Sequence, residues 1–393
     1  MKNNIKILIC FLSLSITPIF TQNAIENVLK IIESNNKLLK AKSYEFKATQ
    51  AGFKTDKTLP NPTVEYDLLI GNQNSGVQHD LLIAQELNFS VILGKKKSYA
   101  NAQSIQLDTL FLAERQEILL QTKNLCLEYI YWCKKQDLVN QRFIMTKHLF
   151  KQYEKGLEVG YVSILDLNKV KIELLHIGSK TKEIDRILWK VKLQIKEKNG
   201  GEPIDLTALE YDILSEVGTF EEVLEKAEIK DYDLKVLELQ SNINAAKKSM
   251  TKSLKLPKIE LGYRYQTFLS QEFNGAHIQM AIPLWEQKNK LNQIKAAEFQ
   301  NELELDHYHS MHKVELQSKY DRYLQLTNTV SEYQRTLATI DSERLLNKAL
   351  ELGQISTIDY FNEMNFLYES KMTLISLEKD MYLLKAELQR FNL

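Results

Sequence analysis

The chain is poor in the residues that make turns. Six prolines and thirteen glycines in 393 residues are too few for the many tight corners of a sandwich, a propeller or a collagen-like chain. Three cysteines cannot build a disulfide scaffold. An excess of one charge is also missing. Fifty-one basic residues balance fifty-one acidic ones, which argues against a basic nucleic-acid binder and against an acidic tail. Beyond the N-terminal segment no stretch of 18 consecutive apolar residues occurs, so a membrane could be entered only as a β-barrel. No Ser/His/Asp or Cys/His arrangement stands out, and GKKKS (94–98) lacks the first glycine of a phosphate loop. No enzyme, cofactor or nucleic-acid partner is read here. What remains is a mostly helical protein with long, unbroken elements.

Residues 1–22 read as a signal peptide. Lys2 and Lys6 precede an apolar core that begins at Ile7, and Thr21 and Gln22 mark the region of cleavage. Cys10 lies inside that core rather than at its end, so no lipid anchor is expected. Cleavage would remove two lysines and leave a net charge of about −2. Cys126 and Cys133 are seven positions apart, about 10 Å along a helix axis, and read as small core residues.

The chain repeats itself. KGLEVGYVSILD (155–166) matches KALELGQISTID (348–359) at an offset of 193, and Leu59 and Pro60 match Leu256 and Pro257 at an offset of 197. The expected division is therefore a first repeat over 23–200, a connector over 201–218 and a second repeat over 219–393. Each repeat reads helix, β-hairpin, very long helix, glycine-marked tip, helix. The hairpins fall at about 63–90 and 259–284. In both, apolar residues alternate with polar ones: Val64, Tyr66, Leu68 and Ile70 against Glu65 and Asp67, then Leu81, Ile83, Leu87 and Phe89 against Asp80, Glu86 and Asn88. The second hairpin sets Ile259, Leu261, Tyr263 and Tyr265 against Glu260, Arg264 and Gln266. Its return strand sets Ile278, Met280, Ile282 and Leu284 against His277 and Gln279. Period two with one apolar face is the mark of a strand.

The long helices are expected from about Lys95 to Gly156 and from about Gln287 to Gly353, about 93 and 100 Å at 1.5 Å per residue. Phe111, Ile118, Leu125, Trp132 and Val139 recur every seven residues, which means coiled-coil packing. Both helices end at a glycine, at tips of about 156–166 and 349–359. Both chains then restart on a serine followed three residues later by an aspartate, Ser163 with Asp166 and Ser356 with Asp359, the order of a capping box.

Four strands per chain cannot close a barrel, and an open edge in lipid leaves backbone groups unpaired; three chains would supply twelve. At this point the sequence resembles the TolC-type outer-membrane efflux proteins, the exit ducts of tripartite pumps and type I secretion systems. The resemblance spans essentially the whole chain after residue 22. It rests on the two halves, on Leu59-Pro60 and Leu256-Pro257, on Gly94 with Lys95–Lys97, and above all on the two tip motifs. It implies a mainly α fold with a small β portion, assembled as a homotrimer with a β-barrel in the outer membrane of a Gram-negative bacterium and a helical barrel in the periplasm. It also implies a periplasmic adaptor (membrane fusion) protein docking on Gly160, Val162, Ser163, Asp166, Gly353, Ile355 and Ser356, an inner-membrane pump of RND or ABC type behind it, and Asp359 at the periplasmic gate. Two positions depart from the pattern: Ile355 stands where the family has a locking arginine, and Asn362 where it has an acid.

Two further readings accompany this one. His307, His309, Met311 and His312 could attract copper or zinc, but only His309 and His312 share a helix face, so a solvated surface is the expectation and no metal is assigned. The alternative function is a soluble periplasmic coiled-coil adaptor, which would have no use for outward apolar strands.

Overall fold

The computed structural model describes residues 24–393 except 56, 73–75, 213–215 and 269–270. The expected signal peptide, with Lys2, Lys6 and Cys10, lies outside the described residues. Two helices come first, α1 (Ala24–Asn35) and α2 (Lys37–Thr55), followed by strands β1 (Thr63–Ile70) and β2 (Val77–Leu87). A single turn, α3 (Phe89–Ile92), leads into α4 (Lys95–Glu158), which returns as α5 (Ile164–Lys198). After an irregular segment come α6 (Phe220–Lys230), α7 (Tyr232–Ser253), β3 (Lys258–Phe268), β4 (Gln271–Ala281), α8 (Lys288–Thr339), α9 (Ser342–Glu351) and α10 (Thr357–Leu388). The fold is mainly α with one small sheet.

The two hairpins join into one antiparallel sheet in the order β1-β2-β3-β4. Register decides what each face carries. Val64 pairs with Ile83, which pairs with Tyr263, which pairs with Ala276. Strand neighbours share a face, so Val64, Tyr66, Leu81, Ile83, Leu261, Tyr263, Ile278 and Met280 lie on one side. The other side takes Glu65, Asp67, Asp80, Glu86, Glu260, Arg264, Gln266, His277 and Gln279. Among the described residues no helix packs against the apolar face, and Ile70 and Ile278 are largely exposed. Two expectations are corrected at the strand ends. Phe89 opens α3 instead of extending β2, because the Asn88 side chain accepts from the Ser90 amide at 3.0 Å and caps a helical turn. Ile282 and Leu284 lie past β4, where Pro283 has no amide to give the ladder.

The helices form four rods side by side. Helix α4 has 64 residues, about 96 Å. It packs against α5 and α2 on one side and against α10 and α7 on the other, and α10 and α7 pack in turn against α8. Within each composite rod two helices meet end to end. The Asn36 amide donates to the Lys198 carbonyl (2.9 Å) where α5 meets α2, and Arg390 lies 3.4 Å from Asp233 where α10 meets α7. The heptad positions of α4 make the seam: Ile118, Leu119, Cys126 and Val139 are buried, with Leu125, Trp132 and Cys133 packed beside them. Both cysteines are free, and burial pushes the Cys126 thiol up to about 12. Near the middle of the rods, part of the irregular segment covers this core, with Tyr211 stacked on Tyr382 at 4.2 Å and Lys134 above Tyr211.

The second long helix is not continuous. Helix α8 stops at Thr339, Ile340 is extended (φ −99°, ψ 115°), and α9 restarts at Ser342. Thr336, Thr339 and Ile340 are β-branched and stiff. Asp341 and Ser342 follow at once, residue types that compete for helix backbone bonds, and the Thr339 hydroxyl already donates to the Thr336 carbonyl at 2.8 Å.

Candidate functional site

The far ends of the rods are built from two tips of nearly the same local chemistry. Helix α4 runs to Glu158, two residues beyond Gly156, and the chain reverses at Gly160 with φ +78°. Helix α9 ends at Glu351 and reverses at Gly353 with φ +66°. In each turn the amide after the glycine reaches five residues back: Tyr161 to the Gly156 carbonyl and Gln354 to the Ala349 carbonyl, both 2.8 Å. This is the helix-ending motif in which a left-handed residue lets the last carbonyls be satisfied, and only glycine enters that region without steric cost.

Both returning helices are capped alike. The Ser163 hydroxyl accepts from the Asp166 amide (3.1 Å) and donates to the Asp166 carboxylate (2.7 Å). Ser356 does the same with Asp359, at 3.2 and 2.6 Å. The reciprocal half of the expected capping box is therefore changed. In the box of α6, Glu222 reaches the backbone amide of Thr219. The shorter aspartate side chain closes on the serine hydroxyl instead. Lys169 adds an ion pair to Asp166 at 3.0 Å, and the Ser163 bond followed by Lys169 holds the Asp166 carboxyl below its usual range.

The two tips lie at the same end of the molecule and touch through their helices. The Tyr153 hydroxyl on α4 and the Thr357 hydroxyl opening α10 are 2.8 Å apart. Ile355 packs against a cluster of Leu138, Tyr360, Met364 and Tyr368. The second tip is thus seated by apolar contact. Asp359 is exposed beside it. Above this cluster, Arg142 of α4 bonds Glu173 of α5 and Asn365 of α10, with its guanidinium 5.0 Å from the Tyr368 ring centre. Sequence reading missed Arg142, because a lone arginine on a heptad helix gives no sign that two other helices close over it. It also missed the contact of Gly156, where an added Cβ would lie 2.5 Å from Val162 Cγ2.

On the polar face of the sheet, Asp80 is buried beneath Arg264, whose Nε donates at 2.9 Å and whose Nη2 bonds the other oxygen, while Gln266 donates to it at 2.5 Å. Glu260 faces His277 at 3.4 Å. This face carries more acid than base. The helix histidines divide: His307 and His309 are exposed, while His312 is turned inward, stacked on Tyr308 and 3.3 Å from Asp231. Asp231 caps α7 through the amides of Asp233 and Leu234 and accepts from the Tyr308 hydroxyl at 2.7 Å. Burial lowers the pKa of His312. The expected solvated surface therefore holds for two of the three histidines. Among the described residues no group of three or more His, Cys, Asp or Glu is placed to hold a metal ion.

No family model matches the sequence and no curated protein matches it. Solved structures match over nearly the whole length. A crystal structure of CusC, described in terms of transmembrane channel formation, superposes with a TM-score of 0.73 over 95% of this chain and 92% of its own, at 13% identity. The CmeC outer membrane channel of Campylobacter jejuni gives 0.70, over 93% of this chain and 85% of that one, at 11% identity. The outer membrane protein VceC of Vibrio cholerae gives 0.69, over 93% and 95%, at 12% identity. The chain has the fold of these outer-membrane channels.

Proposed function

We propose that this chain is the protomer of a homotrimeric outer-membrane exit duct, a passive channel crossing the outer membrane and the periplasm. The observation that carries the reading is the sheet. It has one apolar face bare of helices, one polar face, and two unpaired edges, β1 and β4. In water such edges invite aggregation, and in lipid they are forbidden unless the sheet closes. Three copies in a heterologous ring, β4 of one against β1 of the next, give twelve strands with the apolar face to lipid and the acidic face to the lumen. The same rotation joins the α8 edge of one set of rods to the α5/α2 edge of the next and yields a twelve-rod tube. A soluble adaptor would leave the apolar face of the sheet in water.

The tips then lie farthest from the membrane. Gly160, Val162, Ser163 and Asp166, with Gly353, Ile355 and Ser356, form the surface for a periplasmic adaptor protein, which couples the duct to an inner-membrane pump of RND or ABC type. Asp359, exposed beside the second tip, supplies three carboxylates around the periplasmic entrance. The test is direct. Native mass measurement of the detergent-extracted protein should give a trimer, and planar bilayers should show cation-selective conductance. A monomer found with the soluble periplasm would sink the proposal.

A further inference from the structure

The lysines of this chain are distributed unevenly along the axis of the molecule. From Thr58 to Gly94, across β1, β2 and α3, there is no lysine or arginine at all. From Ile259 to Gln287, across β3 and β4, Arg264 is the one basic residue, and it is engaged with Asp80. On the helix side of each strand end the pattern reverses. Lys54 and Lys57 precede β1, Lys95, Lys96 and Lys97 follow α3, Lys252, Lys255 and Lys258 lead into β3, and Lys288 and Lys290 follow β4. The antiparallel ladder puts the start of β1, the end of β2, the start of β3 and the end of β4 at one end of the sheet. The ten lysines therefore lie at one level as a collar, Lys258 among them on the polar face of the sheet, and the sequence of these segments holds only two acids, Asp56 and Glu286. Among the described residues none of the ten forms an ion pair, although sixteen such pairs exist elsewhere.

Apolar side chains interleave with this charge. Trp285 is 83% exposed, and Leu284, Ile282, Ile92 and Leu93 are also largely uncovered. Ile282 and Leu284 follow directly on the end of β4. An apolar surface that ends in a tryptophan and then in lysines is matched to the boundary between hydrocarbon and phosphate headgroups, with the indole at the boundary and the long lysine stems reaching out of it.

We propose that this collar is a binding surface for anionic phospholipid headgroups of the periplasmic leaflet, recognised through their phosphates. The inference rests on the duct reading above. Unpaired lysines beside an anionic surface gain attraction that lysines already paired to carboxylates do not. Lipid is the occupant rather than the acidic cell-wall polymer, because the charge begins where the strands end and is interleaved with apolar residues that a polysaccharide would not cover.

Tryptophan fluorescence tests this. In a Trp132→Phe/Trp189→Phe protein, Trp285 is the one remaining tryptophan. The protein is reconstituted in phosphatidylcholine vesicles containing a minority of phosphatidylglycerol, with either lipid brominated in turn. Quenching then reads the lipid composition around Trp285. Phosphatidylglycerol should be enriched about fivefold over bulk, roughly what one lysine near an anionic surface supplies. The enrichment should vanish near 1 M salt, where screening acts over about 3 Å. Replacing Lys95, Lys96, Lys97, Lys288 and Lys290 by glutamine should abolish it, and arginine at the same five positions should restore it, with trimer migration confirming assembly. Quenching by the two lipids in proportion to their bulk fractions in the parent protein overturns the proposal and leaves the duct intact, as does an enrichment that survives glutamine or salt. Lysine-dependent retention on purified peptidoglycan without lipid preference overturns it in favour of the cell wall. Quenching by neither lipid removes the collar from the bilayer and overturns the duct reading with it.

Discussion

The two tips invite comparison because the chain builds the same turn twice with different neighbours. Both reverse at a left-handed glycine, both satisfy the carbonyl five residues back, and both recap with a serine–aspartate pair. They differ at two matching positions. Gly156 of the first tip lies against Val162, with no room between them for a methyl group, whereas the second tip has Ala349 there and turns its matching residue, Ile355, into the Leu138 cluster. Asp166 of the first tip is paired with Lys169, and in the second tip the corresponding residue is Asn362. The first tip is thus closed on itself, and the second is fastened to the helices above it. A tip fastened to its rods must move with them, which would suit the gate proposed at Asp359. A self-contained tip can offer a fixed surface to a partner.

The shared part of the design should be the most sensitive. Gly160→Val and Gly353→Val both force a β-branched residue into the left-handed region, at a cost of roughly 1–2 kcal/mol or more. An added Cβ meets no atom within 4 Å at either glycine, so the damage is to the turn and not to packing. Both variants should assemble as trimers and lose transport in cells lacking the wild-type gene. Normal transport in either one would remove its tip from the adaptor surface.

The first difference predicts a reversal of sign. Gly156→Ala should destabilise the first tip by about 1–3 kcal/mol through overpacking against Val162, offset in part by the better helix propensity of alanine. With Val162→Ala already present the Cγ2 contact is removed and only the Cβ at 3.3 Å remains, so the propensity gain of about 0.5–1 kcal/mol should outweigh the residual crowding and the same change should stabilise. At the second tip Ala349→Gly should simply cost about 1 kcal/mol. Hydrogen exchange of the tip amides would measure all three. Two tips that respond alike would erase the distinction drawn between them.

Much of this architecture was readable beforehand because it is locally encoded. Left-handed glycines, serine caps and the period-two strands each depend on a few adjacent residues, and the heptads of α4 announce their own burial. What was not readable depends on partners distant in sequence. The pairing of β2 with β3 joins segments almost two hundred residues apart, and only that pairing gathers the four lysine segments into a collar. Arg142 draws its meaning from Glu173 and Asn365. The break at Ile340 was missed for another reason. An apolar stripe through Tyr333, Leu337 and Ile340 runs right up to it, and periodicity records which face is apolar without recording where stiff residues tear the ladder.

A smaller effect separates the roles of the two aspartates. Asp359→Asn preserves shape, so the Ser356 cap should weaken by roughly 1 kcal/mol or less. In planar bilayers the same change should lower cation selectivity and block by multivalent cations, because a ring of carboxylates attracts cations. Asp166→Asn should alter neither. Unchanged selectivity in the first variant would reduce Asp359 to a cap, and reduced selectivity in the second would place both tips at the constriction.

The smallest effect is the pH dependence of the first tip. The carboxyl of Asp166 is held below its usual range by Ser163 and then by Lys169. A depressed folded-state pKa means the folded protein binds the proton less readily than the unfolded chain does. The added stability is therefore complete above the ordinary aspartate pKa of about 3.9 and is lost as pH falls through the lower, folded-state value. The pair is largely solvent-exposed, so its worth is discounted to about 0.2–0.5 kcal/mol. Lys169→Asn gives the first tip the residue that the second has at Asn362. It should raise the Asp166 midpoint followed by NMR and remove part of the acid-dependent loss of amide protection at residues 160–166, leaving the tip at 353–359 unchanged. A midpoint that does not move would assign the depression to the Ser163 bond alone. The two tips would then differ only in how they pack, with Gly156 and Val162 on one side and Ile355 on the other.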